Sequence, residues 1–68
     1  MTDAEKTERL RVTYQRRIRD VATQYKMPPL SRARMLYLTT RLVRVKGEYV
    51  SDPDLRVLIR LVHRGFID

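Results

Sequence analysis

Twelve arginines in 68 residues are the part of this sequence most capable of chemistry. A guanidinium is planar and always charged, and it forks onto phosphate or carboxylate with two parallel hydrogen bonds. Here the arginines recur at helical spacing. Arg34, Tyr37, Arg41 and Arg44 follow at steps of three, four and three, and Arg56, Arg60 and Arg64 at steps of four with His63 beside them. Arg9, Arg16 and Arg19 form a further set. Such steps bring side chains to one face of a helix. The first two sets are therefore the candidate partner-binding residues: Arg34, Tyr37, Arg41, Arg44, Arg56, Arg60 and Arg64. A tyrosine framed by arginines, expected to be exposed, stacks on a base or enters an apolar pocket while the arginines hold phosphates or carboxylates. The bland alternative is a solvated face, or a GC-rich coding sequence that raises arginine without purpose. Three faces on one short chain weigh toward a binding role.

Catalytic chemistry finds no support. The chain has no Gly-rich phosphate loop, no nucleophile elbow and no His–carboxylate pairing. Asp52 and Asp54 look like a carboxylate pair, but they stand at a helix start, where capping accounts for them. One His and no Cys cannot assemble a zinc site, so neither a metal nor a cofactor is expected. The chain reads as a non-enzyme.

Fifteen Lys+Arg against eight Asp+Glu give a net charge of +7, which favours anionic partners. No apolar run approaches the roughly 18 residues of a membrane span, and the expectation is a cytoplasmic protein that uses no membrane. So small a domain buries little surface, and with disulfide and metal excluded, self-association is the remaining aid to stability. A homodimer is expected.

The elements that must position these faces are set by a few breakers. Pro28-Pro29 and the stretch from Gly47 to Pro53 divide residues 1–68 into three segments of one all-α domain. The first helix is expected over about 2–25, with Thr2 and Glu5 as a capping box. Its apolar stripe is Leu10, Tyr14, Ile18, Val21 and Tyr25, and Glu5/Arg9 and Arg16/Asp20 are candidate i,i+4 pairs. Residues 1–9 carry little apolar content and are expected to fray. Arg9–Tyr14 also alternates polar and apolar as a DNA-reading β-ribbon would, but Leu10 and Tyr14 continue at helical spacing into Ile18 with no breaker between.

The second helix is expected over about 32–46, with Ser31 as N-cap and Gly47 as left-handed C-cap. Its apolar face is broad: Met35, Leu36, Leu38, Leu42, Val43 and Val45. Met35, Leu38, Leu42 and Val45 are the expected core or dimer residues, with this helix as the dimer seam. The third helix is expected over about 53–64, with Asp52 as N-cap, Pro53 at the first helical position, and Leu55, Leu58, Ile59, Leu61 and Val62 as its stripe. Gly65 ends it, with Phe66 folded back onto the last turn. Tyr49 lies in the preceding connection, where the sequence leaves its role open.

Two functions fit this plan. Charge favours a nucleic-acid-binding regulator of the transcription-regulator type. The link from Gly47 to Asp52 is too long for a tight helix-turn-helix. The alternative is a small inhibitor or adaptor, of the kind encoded by phages and mobile elements, that docks on an acidic surface of a larger host regulatory protein.

Overall fold

The computed structural model describes residues 2–65, apart from the side chain of Glu48. It holds three helices: α1 (Asp3–Gln24), α2 (Arg32–Arg44) and α3 (Asp52–His63), with a short 3-10 turn at Gly47–Tyr49. Among the described residues there is no strand, and Arg9–Tyr14 is helical.

Each helix begins where a hydroxyl satisfies free backbone N–H groups. Thr2 Oγ1 accepts from the Glu5 amide at 3.2 Å, Ser31 Oγ from Arg34 and Ser51 Oγ from Asp54, both at 3.3 Å. Ser51, and not Asp52, thus caps α3. Asp52 opens the first turn and Pro53 follows it, so the expected Asp52 cap is off by one residue. Both residues suit a cap; the serine takes it, and Asp52 is left to bond elsewhere.

The helix ends bring a second correction. Lys46, with φ 55°, takes the left-handed position expected of Gly47. Gly47 is buried, and a Cβ there would stand 2.8 Å from Leu42 Cδ2. Close approach to the core uses this glycine. At the end of α1, Lys26 is also left-handed, with φ 54°. The Met27 amide donates to the Ala22 carbonyl at 2.7 Å and Lys26 to Thr23 at 3.2 Å, a Schellman closure. Gly65 does supply the left-handed residue after α3, with φ 76°; Phe66 lies outside the described residues.

Tyr14, Ile18, Val21, Leu38, Leu42, Leu55, Ile59 and Val62 form a single buried cluster. Leu10, Tyr25, Met27, Leu30, Met35, Tyr37, Val43, Val50 and Leu58 pack around it. The first helix presents its stripe as the spacing demands. On α2, Leu38 and Leu42 are core residues and Met35 is half-buried, but Leu36 is 52% and Val45 60% exposed. Val45 departs from the expected core because α2 stops at Arg44, leaving Val45 as the cap residue.

Three contacts fix the path. Arg17 reaches Asp52, Arg56 lies over the Tyr25 ring, and His63 bonds the Pro28 carbonyl. Successive points along α1 therefore meet successive points along α3, so these helices run side by side in one direction. Arg34 at the start of α2 meets His63 at the end of α3, so α2 runs opposite. The molecule measures 36 × 22 × 18 Å. Its long axis is that of α1, whose 22 residues span about 33 Å. Since Arg17 already stands level with the start of α3, the first two turns of α1 project beyond the other helices. They are helical and largely exposed, where the sequence suggests fraying over 1–9.

Candidate functional site

The up-down-up path gathers cations at one end of the molecule. α1 and α3 begin toward the same end, where Asp3, Glu5, Glu8, Asp52 and Asp54 are interleaved with Lys6, Arg9, Arg41, Arg44 and Lys46. The opposite end collects the last turn of α1, the start of α2 and the last turns of α3. It carries Lys26, Arg32, Arg34, Arg60 and Arg64, all exposed. Among the described residues Asp20, on α1, and Asp54, on α3, are the acids nearest in sequence to this basic end.

His63 ties the basic end together. Its Nε2 lies 2.8 Å from the Pro28 carbonyl oxygen. A carbonyl only accepts, so Nε2 carries the proton and donates. Arg34 Nη1 donates to the His63 carbonyl at 3.5 Å. The link after α1, the first turn of α2 and the last turn of α3 are thus held against one another. Five cations are displayed on a braced surface.

The seven arginine and tyrosine residues singled out in the sequence do not form one face. Arg34, Arg60 and Arg64 gather at the basic end. Arg41 and Arg44 lie in the last turns of α2, toward the opposite end. Arg56 is partly buried, with its guanidinium carbon 5.0 Å from the centre of the Tyr25 ring, a cation–π contact between α1 and α3.

Tyr37 is half-buried against the core, not exposed as expected, and its hydroxyl accepts from Arg41 Nη1 at 3.3 Å. The reason is the breadth of α2's contact. This helix covers both neighbours, and Tyr37 lies one turn beyond Arg34, which already reaches α3. Among the described residues the exposed aromatic is instead Tyr49, 85% exposed on the 3-10 turn.

Sequence reasoning missed Arg17. Its Nη1 donates to the Gly47 carbonyl at 3.1 Å, and its Nη2 donates to the Val50 carbonyl and to Asp52 Oδ1, the latter at 3.1 Å. Nε adds a bond to the same carboxylate at 3.3 Å. Arg17–Asp52 is the one ion pair within 4 Å among the described residues. The expected pairs Glu5/Arg9 and Arg16/Asp20 do not close.

A groove of about 790 Å³ runs between α1 and α2. Ile18, Ala22, Met27, Leu30, Met35 and Leu36 supply its apolar floor; Arg11, Arg19 and Arg32 are its charges. No acid lines it. The Arg11 Nε is buried there without a hydrogen-bond partner. Among the described residues no three His, Asp or Glu side chains come together as metal ligands, and no helix is long and apolar enough to cross a membrane.

Comparison with protein-family models, curated proteins and solved structures finds no match for this chain.

Proposed function

We propose that this chain is a non-enzymatic, basic regulatory protein of the cytoplasm that binds nucleic acid, as a homodimer, through its basic end. The observation that carries the reading is the clustering of five cations at one end. Lys26, Arg32, Arg34, Arg60 and Arg64 share one end with no acid among them in the described residues, whereas acids and bases are interleaved toward the other. A net charge spread evenly would attract polyanions weakly in any orientation. A braced cationic end meets several phosphates at once, and each phosphate neutralised releases counterions.

The test is a mobility shift with duplex DNA and with RNA at low and physiological salt. Single changes Arg34→Ala, Arg60→Ala and Arg64→Ala should each weaken binding and reduce the salt slope by about 0.9 for every phosphate left unpaired. Arg41→Ala and Arg44→Ala should do so far less. Equal effects at both ends would reduce the attraction to net charge alone, and retention that vanishes at physiological salt would reject a nucleic-acid role.

A second reading, docking on a larger regulatory protein, rests on Tyr49 and Val45, large exposed apolar side chains 85% and 60% accessible near the opposite end. An exposed tyrosine is a residue type enriched in interface hot spots. Under this reading Tyr49→Ala abolishes capture of the partner and leaves the mobility shift unchanged.

A further inference from the structure

The projecting start of α1 and the groove beside its second half are two exposed features of one helix, and they are complementary. Along the outer face of α1, with exposed Arg9 at its flank, Glu5, Glu8, Val12, Arg16 and Arg19 follow at steps of three, four, four and three. That order reads the same from either direction with the charge reversed. Two acids precede Val12 by seven and four residues; two arginines follow it by four and seven. Glu5, Glu8, Arg16 and Arg19 are exposed and have no ion partner within 4 Å among the described residues, and Val12 is 42% exposed.

We infer that this face is a docking surface for a second copy of the same chain, with the two α1 helices antiparallel and crossing at Val12. In that register Glu8 meets Arg16 of the second copy and Glu5 meets its Arg19. The two-fold axis repeats both pairs, and Val12 packs on its own mate. An interface of this symmetry is self-complementary by necessity. The projecting turns of one copy then run along residues 15–22 of the other, beside the α1–α2 groove. Ala4 and the methylene stems of Glu5 and Glu8 come over the apolar floor that Leu36, 52% exposed, leaves open. The groove holds Arg11, Arg19 and Arg32 and no acid, and the entering turns bring Asp3, Glu5 and Glu8 against Lys6 and Arg9, an excess of acid.

The helix dipole accounts for Glu5, in the first turn, but not for Arg16 and Arg19. It favours acids in the first turn and bases in the last, within about one turn of each end. The last turn of α1 carries no basic residue, so Arg16 and Arg19 are not placed there to serve the dipole. Nor does the expected α2 seam compete, because Leu38 and Leu42 are consumed by the chain's own core.

Sedimentation equilibrium from micromolar to sub-millimolar concentration tests this with the whole chain. Wild type should approach twice the 8.2 kDa chain mass. Glu8→Arg sets two arginines against two arginines across the axis, and Arg16→Glu sets two glutamates against two glutamates. Each variant should dimerise about tenfold more weakly, since every reversal is repeated by symmetry. The variants should keep wild-type circular dichroism, which separates lost association from lost folding. Mixed one to one, they should recover the dimer. The side chain introduced by Glu8→Arg then faces the one introduced by Arg16→Glu, and the symmetry-related pair is the native Glu8 with the native Arg16.

A wild-type chain that stays monomeric throughout overturns the proposal, including one that stays monomeric yet binds a glutamate-rich helical peptide, which would assign the groove to a foreign helix. A dimer untouched by either variant overturns it as well. Weakened variants that fail to restore each other in mixture overturn the antiparallel register.

Discussion

Arg17 should contribute more to stability than any other charged side chain among the described residues. Met is the informative replacement, since it keeps most of the aliphatic stem and removes the guanidinium. The side chain is 27% exposed, so its bonds to the Gly47 and Val50 carbonyls are partly shielded from water. A hydrogen bond from a charged donor is worth about 1.5–3 kcal/mol when well buried. Allowing for the partial exposure, the two carbonyl bonds together should give about 2 kcal/mol. The Asp52 carboxylate is 52% exposed, so its ion pair adds less than about 1 kcal/mol. Arg17→Met should therefore cost about 2–3 kcal/mol and lower Tm by on the order of 10 °C or more in a domain of this size. Asp52→Asn, whose amide oxygen still accepts, should cost about 1 kcal/mol at most, including its first-turn dipole term. Arg17→Lys should fall between them, because one ammonium cannot span two carbonyls and a carboxylate. Urea unfolding followed by circular dichroism at one fixed protein concentration measures all three. A loss under about 0.5 kcal/mol for Arg17→Met, or an equal loss for Asp52→Asn, would refute the assignment of the stability to the carbonyl bonds.

Lys26 and Lys46 occupy left-handed positions that glycine adopts freely, so Lys26→Gly and Lys46→Gly should each raise stability by about 1 kcal/mol in thermal unfolding. Gly47→Ala should cost about 1–3 kcal/mol, because its Cβ would meet Leu42 Cδ2 at 2.8 Å and the Leu42 carbonyl oxygen at 3.3 Å; a neutral result would mean that Leu42 moves freely. Ser51→Ala should lose about 1 kcal/mol with its cap to Asp54, and a loss at Asp52→Ala with none at Ser51→Ala would return the cap to Asp52.

The helices are legible in the sequence because their signals are local. Pro28-Pro29, Ser31 and the stripe from Leu10 to Tyr25 each declare themselves within a turn or two. Arg17 is not legible, because its partners lie 30 to 35 residues away and no periodicity along α1 marks it. Gly47 reads as a freedom of backbone, the commonest reason for a glycine after a helix, whereas its missing side chain is what Leu42 requires. Arginine neighbours in sequence point Tyr37 outward, yet a helix packed on two others buries a wider arc than one stripe. The seven candidate site residues are chosen face by face within single helices. Only the path of the chain shows that Arg34, Arg60 and Arg64 meet at one end while Arg41 and Arg44 do not.

The dimer and the basic end constrain each other in a measurable way. In the antiparallel pair, Glu5 and Glu8 of each copy neutralise Arg19 and Arg16 of the other, and Lys26, Arg32, Arg34, Arg60 and Arg64 stay free to bind. Lys26 lies fourteen residues from Val12, just past the end of α1, about 21 Å at the helical rise. The two basic ends of a dimer then stand roughly 40 Å apart, somewhat more than one turn of duplex DNA. A duplex shorter than about 12 base pairs, at roughly 3.4 Å each, reaches one end only. Affinity for wild type should therefore rise in a step as the duplex lengthens past that point, because the second end engages at high effective concentration. The Glu8→Arg variant keeps its basic end but loses the partner, so its affinity should climb smoothly with length. A step that survives in that variant would mean that the two ends are not joined through α1; its absence from wild type, with binding intact, would mean that the ends do not face one duplex.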